Sequence, residues 1–210
     1  MLFRSDHVVC DYRSGAEQVM NYLLQLGHRK IGFINAAASE IRTSRDVGEI
    51  YRTKLEAVGV TPDPQWVEDG KFTEEGGAKA AQAILDRDKD VTALFAGNDK
   101  MAVGALHYLT RNGVEVPGQV SVVGFDDLRH AAFVTPALTT VHLPLYEVGA
   151  LACERLIERA HGKTERVVER LPTHLIVRES TGMVNTSTPA STPAGAASAV
   201  PAGGESPTGG

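Results

Sequence analysis

The chain has 210 residues, of which 42% are hydrophobic and 22% are charged, and its formal net charge is -5. This length and composition are typical of a globular protein with one domain or two small lobes around a real core. The negative charge argues against nucleic-acid binding by this chain itself. No apolar run approaches the roughly 18 residues of a membrane-spanning helix, and the amino terminus lacks the apolar centre of a secretory signal. We therefore expect a cytoplasmic protein.

The first ninety residues alternate short apolar runs with segments whose apolar residues recur at helical spacing. The predicted strands are residues 8–10 and 31–34, and the predicted helices are residues 15–26, 44–58 and 74–85. Thr43 or Ser44 is expected to cap the second helix, and Thr73 the third. Around Gly70 we expect a short strand or loop. This alternation is typical of an α/β fold.

The rest of the chain is organised around residues 91–127. Two short runs, residues 92–96 and 120–125, are apolar throughout and flank one amphipathic helix, which is typical of parallel strands buried under crossover helices. The polar residues that follow these strands are Asn98 and Asp99 after the first, and Asp126 and Asp127 after the second. Asp99 is expected to cap the helix. Open α/β sheets bind ligands just outside the carboxyl ends of their strands, so this stretch predicts a binding cleft.

The last third of the sequence contains the final predicted strands and helix, followed by a segment without an apolar pattern. We expect a strand at residues 138–141, a helix from Pro144 to residue 161, and strands at residues 167–168 and 175–177. Residues 183–210 consist mostly of Ser, Thr, Pro, Ala and Gly, with one charged residue. Such a segment has too little apolar surface to offset its ordering entropy, so we predict a disordered tail.

Five segments resemble one family when they are taken together, in this order and at natural spacing. They are residues 26–34 (LGHRKIGFI), 96–102 (AGNDKMA), 120–127 (VSVVGFDD), 138–141 (LTTV) and 178–181 (REST). Over about residues 8–182 they are similar to the effector-binding core of the LacI/GalR family of bacterial transcription regulators. The resemblance implies a periplasmic-binding-protein-like fold of type I. In that fold, two doubly wound parallel sheets form lobes that hold a small molecule between them.

The resemblance is incomplete, and its gaps predict the domain organisation. The helix-turn-helix, the hinge helix and most of the first lobe of the family have no counterpart here. We therefore expect mainly the C-terminal lobe, about residues 12–143 and 163–182, with a remnant of the N-terminal lobe. That remnant would include a return helix at residues 145–161. Its apolar face would lack its usual partner, so the chain is interpreted as a fragment or a degenerate regulator.

Four residues are the predicted ligand contacts. Sugars and polyols need acceptors, a guanidinium donor and an aromatic plate in an otherwise apolar cleft. Asp126 can accept two hydroxyl hydrogens, and the resemblance assigns a contact to Asn98, an inward-pointing arginine to Arg45 and an aromatic over the ligand ring to Phe72. The alternatives are a cap for Asp126, a solvated surface for Arg45 and ordinary core for Phe72. Weaker candidates are Arg42, Tyr12 and Phe133.

An enzyme is not expected. Asp126 and Asp127 would point to opposite faces of a strand, which is poor geometry for an acid/base pair. The sequence has no phosphate loop, nucleophile elbow or metal-binding cluster, and its two cysteines, Cys10 and Cys153, are expected to be free thiols. We therefore predict no catalytic residue, no metal and no cofactor.

The leading hypothesis is the ligand-sensing domain of a LacI-type regulator. Its partners would be a sugar-like effector and, only through a missing helix-turn-helix domain, DNA. Full-length relatives imply a homodimer, and no membrane partner is expected. Two alternatives stay open: a solute-binding component of a transporter with the same fold, and a remnant that no longer binds any small molecule.

Overall fold

The computed structural model describes residues 6–35 and 41–184, so the predicted tail lies outside the described residues from position 185 onward. The strands are β1 (His7–Cys10), β2 (Ile31–Asn35), β3 (Val67–Asp69), β4 (Ala93–Ala96), β5 (Ser121–Val123), β6 (Thr140–His142), β7 (Val168–Leu171) and β8 (His174–Ile176). The helices are α1 (Tyr12–Gln25), α2 (Arg42–Ala57), α3 (Glu74–Arg87), α4 (Asp99–Arg111) and α5 (Leu145–Ala160).

The main sheet is parallel, with the strand order β3-β2-β4-β5. Two parallel bridges, Val123 to Thr139 and Asp126 to His142, place the chain around β6 beside β5. From β2 the chain passes to β3 on one side, and from β3 it crosses to β4 on the other side of β2. The point where the winding reverses therefore lies between β2 and β4, and ligands of such sheets bind outside the carboxyl ends there.

Helices cover both faces of this sheet, because its strands are apolar on both sides. Phe33 packs with α1 and α2 in one core, and its neighbour Ile34 packs with α3 and α4 in the other. Helices α3 and α4 approach each other closely, since a Cβ at Gly104 would lie 1.8 Å from the Glu74 carbonyl oxygen. The predicted doubly wound parallel α/β fold is confirmed.

The observed helix starts agree only in part with those predicted from the sequence. Thr73 accepts a hydrogen bond from the Gly76 N–H and caps α3, as expected. The predicted cap of α2 at Thr43 or Ser44 is wrong, because α2 begins at Arg42 and its N-cap position makes no side-chain cap bond. Helix α1 begins at Tyr12, three residues earlier than predicted, because the Asp11 side chain accepts from the Ser14 N–H.

A second, smaller unit consists of the parallel pair β1-β7 with α5 packed against β1. None of the residues of α5 is buried, and Leu145 and Leu156 are exposed. Strand β7 falls within residues 163–182, which were assigned above to the larger lobe. That assignment needs a correction, because β7 pairs with β1 whereas β8 pairs with β6.

Three connections join the two units. Two of them run from β1 into α1 and from β6 into α5. The third runs from β7 into β8 and carries Thr173, whose hydroxyl donates to the Asp11 carbonyl at 3.0 Å. Gln18 reaches the same place, since its side-chain amide donates to the Thr173 carbonyl at 2.8 Å. The first and third connections are therefore fixed to each other.

The conspicuous segment at residues 178–181 is a structural connector. The Ser180 hydroxyl donates to the Val122 carbonyl at 2.6 Å and accepts from the Thr139 N–H at 2.8 Å. Ser180 is fully buried and links the chain around β5 to that around β6. Of the helices in the described part of the chain, none is both long and apolar enough to cross a bilayer.

Candidate functional site

The carboxyl edge of the main sheet carries two of the predicted contacts on neighbouring strands. Asn98 follows β4 and Asp126 lies shortly beyond β5, and β4 and β5 are paired in parallel. Because paired strands lie about 4.8 Å apart, both side chains belong to one short stretch of this edge. The amino-acid sequence did not show that β4 and β5 are neighbours in the sheet, whereas the structure does.

Asn98 has a structural role in addition to its predicted ligand contact. Its side-chain oxygen accepts from the Met101 N–H at 2.8 Å, so Asn98 is the N-cap of α4. The expectation that Asp99 caps this helix is therefore wrong. Asp99 is the first helical residue, and its side chain points into the protein instead. The Asn98 Nδ2 group donates to no side chain or carbonyl in the described part of the chain, so this amide retains a donor.

Asp126 lies in a turn beyond β5 rather than on the strand. Its φ is +117° and that of Asp127 is +54°, a region that side-chain-bearing residues seldom adopt. The argument that the two carboxylates point to opposite faces of a strand therefore rests on the wrong local geometry. The Asp126 N–H donates to the Val141 carbonyl at 2.9 Å, so β6 holds the backbone of the turn.

The two adjacent acids differ in their partners. The Asp127 carboxylate accepts from Arg178 Nη2 at 2.6 Å and lies 3.0 Å from His142 Nδ1. Asp127 is therefore engaged by partners within the protein. The half-buried Asp126 carboxylate has no hydrogen bond or ion pair with any residue in the ranges 6–35 and 41–184. Its acceptor oxygens are therefore open to a ligand.

Burial dominates the electrostatics around Asp126. Burial, and to a smaller extent the nearby charge of Asp99, together raise the pKa of Asp126 to about 7. Burial and then the charge of Asp126 raise the pKa of Tyr12 to about 12, and the same two causes raise the pKa of the Cys10 thiol. The Tyr12 ring stacks on Phe125, with centroids 5.6 Å apart and an interplanar angle of 6°. Tyr12, Cys10 and Asp126 therefore share one corner.

A pocket of about 350 Å³ opens beside this corner, between β1, β7 and the starts of α2 and α5. Its walls include Cys10 and Tyr12, together with Arg13, Arg42 and Thr43. Two of the weaker sequence candidates, Tyr12 and Arg42, thus line it. Asp126, Asn98, Arg45 and Phe72 are not among its described lining residues, whereas Tyr12 and Cys10 border both the pocket and Asp126.

Phe72 and Arg45 also follow strands of the main sheet at its carboxyl edge, but these strands are β3 and β2 rather than β4 and β5. Phe72 follows β3 with a φ of +57° and is 37% exposed. Strand β3 is three strand spacings, or about 14 Å, from β5, so Phe72 could meet only a far part of a ligand that touches Asp126. Arg45 is exposed on the first turn of α2. The roles of Asp126, Asn98, Arg45 and Phe72 in binding stay predictions.

Asp99 is the residue whose position the sequence did not indicate. It is fully buried, its Oδ2 accepts from the Leu128 N–H at 2.7 Å, and its Oδ1 accepts from the Thr140 hydroxyl at 2.5 Å. Two adjacent polar residues before a helix are equally good cap candidates, and only tertiary contacts separate them. In the described segments, no three His, Cys, Asp or Glu residues are grouped so that they could hold a metal ion.

Comparisons with known proteins agree on one family. Residues 20–181 match the family described as "Periplasmic binding protein-like domain". The chain is 37% identical over 172 residues to the HTH-type transcriptional repressor CytR of Escherichia coli K12, covering 81% of this chain and 50% of that protein. It is 30% identical over 175 residues to catabolite control protein A of Priestia megaterium, covering 83% and 53%. The chain thus spans about half the length of these curated relatives.

Solved structures give the same result. The complex of the transcriptional regulator CelR with cellobiose has a TM-score of 0.80 at 36% identity, covering 84% of this chain and 54% of that one. A LacI family regulator from Enterococcus faecium with bound ribose has a TM-score of 0.80 at 26% identity, covering 86% and 67%. The chain therefore belongs to the periplasmic binding protein-like domain family, as found in the effector-binding part of LacI-type transcription regulators.

Proposed function

We propose that residues 8–182 sense a small hydroxylated molecule, similar to a sugar, and that Asp126 is its main polar contact. The proposal depends above all on the half-buried Asp126 carboxylate, which lacks a partner among the described residues while its neighbour Asp127 is fully engaged. A carboxylate held in such a position is an unmet acceptor, and paired ligand hydroxyls would satisfy both of its oxygens.

The surrounding groups suit a ligand of this kind. The Asn98 amide offers a donor one strand away from Asp126, and Tyr12 adds a hydroxyl and an aromatic ring. The mixture of an acceptor, a donor and an apolar wall is what a sugar with polar edges and one apolar face requires. Arg45 and Phe72 are proposed to contact the part of the ligand farther from Asp126.

The relatives support the sugar-like class of ligand. Two similar structures of regulators are described with cellobiose and with ribose bound. We propose the same chemical class for this chain, with the specific sugar left to the binding experiment below. Because the relatives are repressors, we propose no catalytic activity, no metal and no cofactor here.

Ligand binding would act by shifting a population between open and closed arrangements of the two units. A ligand that binds one arrangement more tightly favours it by the difference in binding free energy. In a regulator this shift would change DNA binding, which we assign to a helix-turn-helix part outside residues 8–182. We propose a cytoplasmic protein that acts as a homodimer in its full-length form.

A thermal-shift screen of the full chain against sugars, polyols and nucleosides tests the proposal. We expect at least one sugar to raise the melting temperature, and we expect Asp126→Asn to abolish that rise. Asp86→Asn, which changes an exposed aspartate at the far end of α3, is the matched control and should keep the rise. A panel without any stabilising compound would contradict the proposal and favour the non-binding remnant.

A further inference from the structure

We infer that Asp99 is a positioning residue for Asp126: its buried carboxylate fixes the turn that presents Asp126 at the proposed site. This inference rests on the proposed function only for the meaning of Asp126 as a ligand contact. The contacts that support it are all made within the protein and involve no ligand.

The Asp99 carboxylate connects three parts of the chain. It lies at the start of α4 and accepts one hydrogen bond from the Leu128 N–H, two residues after Asp126. It accepts the other from Thr140 on β6, the strand that leads into the connection to α5. One buried side chain therefore fixes the end of the Asp126 turn and ties that turn to a strand leading out of the larger unit.

The backbone makes room for this carboxylate. A Cβ at Gly124 would lie 2.3 Å from Asp99 Oδ1, which no side chain could tolerate without movement. The turn that follows is itself unfavourable, since Asp126 and Asp127 both have positive φ. Such conformations persist where the surroundings over-determine them, and they concentrate at functional sites. Here the surroundings are Asp99 on one side and β6 on the other.

The same carboxylate acts on Asp126 through its charge. Burial raises the pKa of Asp99 to about 6, although the hydrogen bonds from Thr140 and Leu128 oppose that rise. Once Asp99 is ionised, it makes ionisation of Asp126 harder. The other titratable or charged groups that face the pair, directly or through Asp127, are Cys10, Tyr12, Asp127, His130, His142 and Arg178.

The consequence for the proposed site is a dependence on pH. A ligand hydroxyl donates best to an ionised carboxylate, so its affinity should rise with pH as Asp126 loses its proton. Asp99 decides where that rise occurs, because removing its charge lets Asp126 ionise at lower pH. A residue with a merely structural role would not move this midpoint.

The test is a carbon-13 NMR titration of the aspartate carboxyls in the ligand-free full chain, with Asp126 assigned through Asp126→Asn. In Asp99→Asn, which keeps the size of the side chain, we expect the Asp126 midpoint to fall by about one pH unit. Asp86→Asn should leave it unchanged. An unchanged Asp126 midpoint in a folded Asp99→Asn variant would overturn the inference.

A second variant covers the case in which Asp99→Asn does not fold. Thr140→Val removes one donor to Asp99 at nearly constant volume, so the Asp99 midpoint should rise, and an unchanged midpoint would again overturn the inference. These titrations need no ligand. A negative thermal-shift panel would therefore contradict the proposed function without touching this result, and the two failures can be told apart.

Discussion

Arg178 donates a hydrogen bond of 2.6 Å to the Asp127 carboxylate and so ties the last described segment to the turn that carries Asp126. Its other Nη donates to the Leu138 carbonyl at 2.8 Å, and both side chains of the ion pair are only 19% exposed. A pair at that depth is poorly screened by water. The pair therefore gives the turn an anchor in addition to the contacts of Asp99.

Replacing Arg178 by methionine should destabilise the protein. The variant leaves Asp127 without its charged donor, and such a hydrogen bond contributes about 1.5–3 kcal/mol. We expect a loss of that size in the free energy of unfolding, measured by urea denaturation followed by circular dichroism. Arg111→Met at the end of α4, an exposed arginine, is the matched control and should change stability by less than about 0.5 kcal/mol. Equal losses in the two variants would contradict this prediction.

Asp126→Asn should stabilise the protein in a pH-dependent way. With the folded-state pKa of Asp126 near 7 against an ordinary value of 3.8, the folded protein binds more protons than the unfolded chain between these values. The contribution of Asp126 to the free energy of unfolding of the wild type therefore falls as pH rises from about 4 to 7. Asp126→Asn lacks this pH-dependent loss. Its free energy of unfolding should therefore exceed that of the wild type only negligibly below pH 4.

The gain of Asp126→Asn should level off above pH 7. Each pKa unit corresponds to about 1.4 kcal/mol, so the shift from 3.8 to about 7 sets an upper bound of about 4 kcal/mol. Because water screens the half-buried carboxyl, we expect a gain of about 1–3 kcal/mol. Urea unfolding at pH 5 and pH 8 measures the difference. Asp86→Asn should show no such dependence. If the difference in stability between Asp126→Asn and the wild type were the same at both pH values, burial would not raise the pKa of Asp126.

His28 should make stability depend on pH in the opposite sense. It is buried, and its Nε2 must donate to the Gly182 carbonyl at 3.0 Å, which leaves Nδ1 to accept from the Thr92 hydroxyl at 2.9 Å. Burial lowers the pKa of His28 below its ordinary value of 6.5. The unfolded chain then binds more protons, so stability is lost as pH falls below about 6.5.

His28→Leu should remove this dependence on pH and reduce stability at pH 8 by about 1–3 kcal/mol, because it leaves the half-buried Thr92 hydroxyl and Gly182 carbonyl without their partner. His107→Leu on the exposed side of α4 is the control and should keep the slope of the wild type. Thermal unfolding between pH 5 and pH 8 follows both variants. A wild-type slope that persists in His28→Leu would assign the effect to another group.

The sequence predicted the main sheet well because β2, β4 and β5 are short apolar runs, and such runs have few alternatives to a buried strand. It did not predict that β7 pairs with β1, since residues such as Glu169 and Arg170 give no apolar signal and the pairing depends on a partner far along the chain. The same limit applies to the site. Asn98 and Asp99 are both polar and adjacent, and only Leu128 and Thr140 decide which of them points inward.

Helix α5 should loosen at high salt. None of its residues is buried, and ion pairs attach it to the rest of the smaller unit: Arg159 binds Asp6 at 2.6 Å, and Arg155 binds Glu169 on β7. Salt at 1 M shortens the screening length to about 3 Å. Amide hydrogen exchange in α5 should therefore accelerate between 0.05 and 1 M NaCl, whereas exchange in the packed helix α4 should not. Equal acceleration in both helices would indicate a global effect instead.

The contact between Gly124 and Asp99 gives a direct test of how tightly the candidate site is packed. In Gly124→Ala the new methyl group would lie 2.3 Å from Asp99 Oδ1, 3.0 Å from Leu138 and 3.2 Å from Ala102. We expect a loss of about 1–3 kcal/mol from overpacking. Gly149→Ala is the control, because nothing lies within 4 Å of its Cβ and alanine favours the helix.

Asp99→Ala removes the obstacle, so the double variant Gly124→Ala/Asp99→Ala should lose less stability than the sum of its single variants. Residues in direct contact couple by about 0.5–3 kcal/mol, and a coupling energy of that size in urea unfolding would confirm the close approach. Additive losses would mean that the Asp99 carboxylate does not lie against Gly124. In that case Asp99 could not hold the turn of Asp126 in the way the hydrogen bonds from Leu128 and Thr140 indicate.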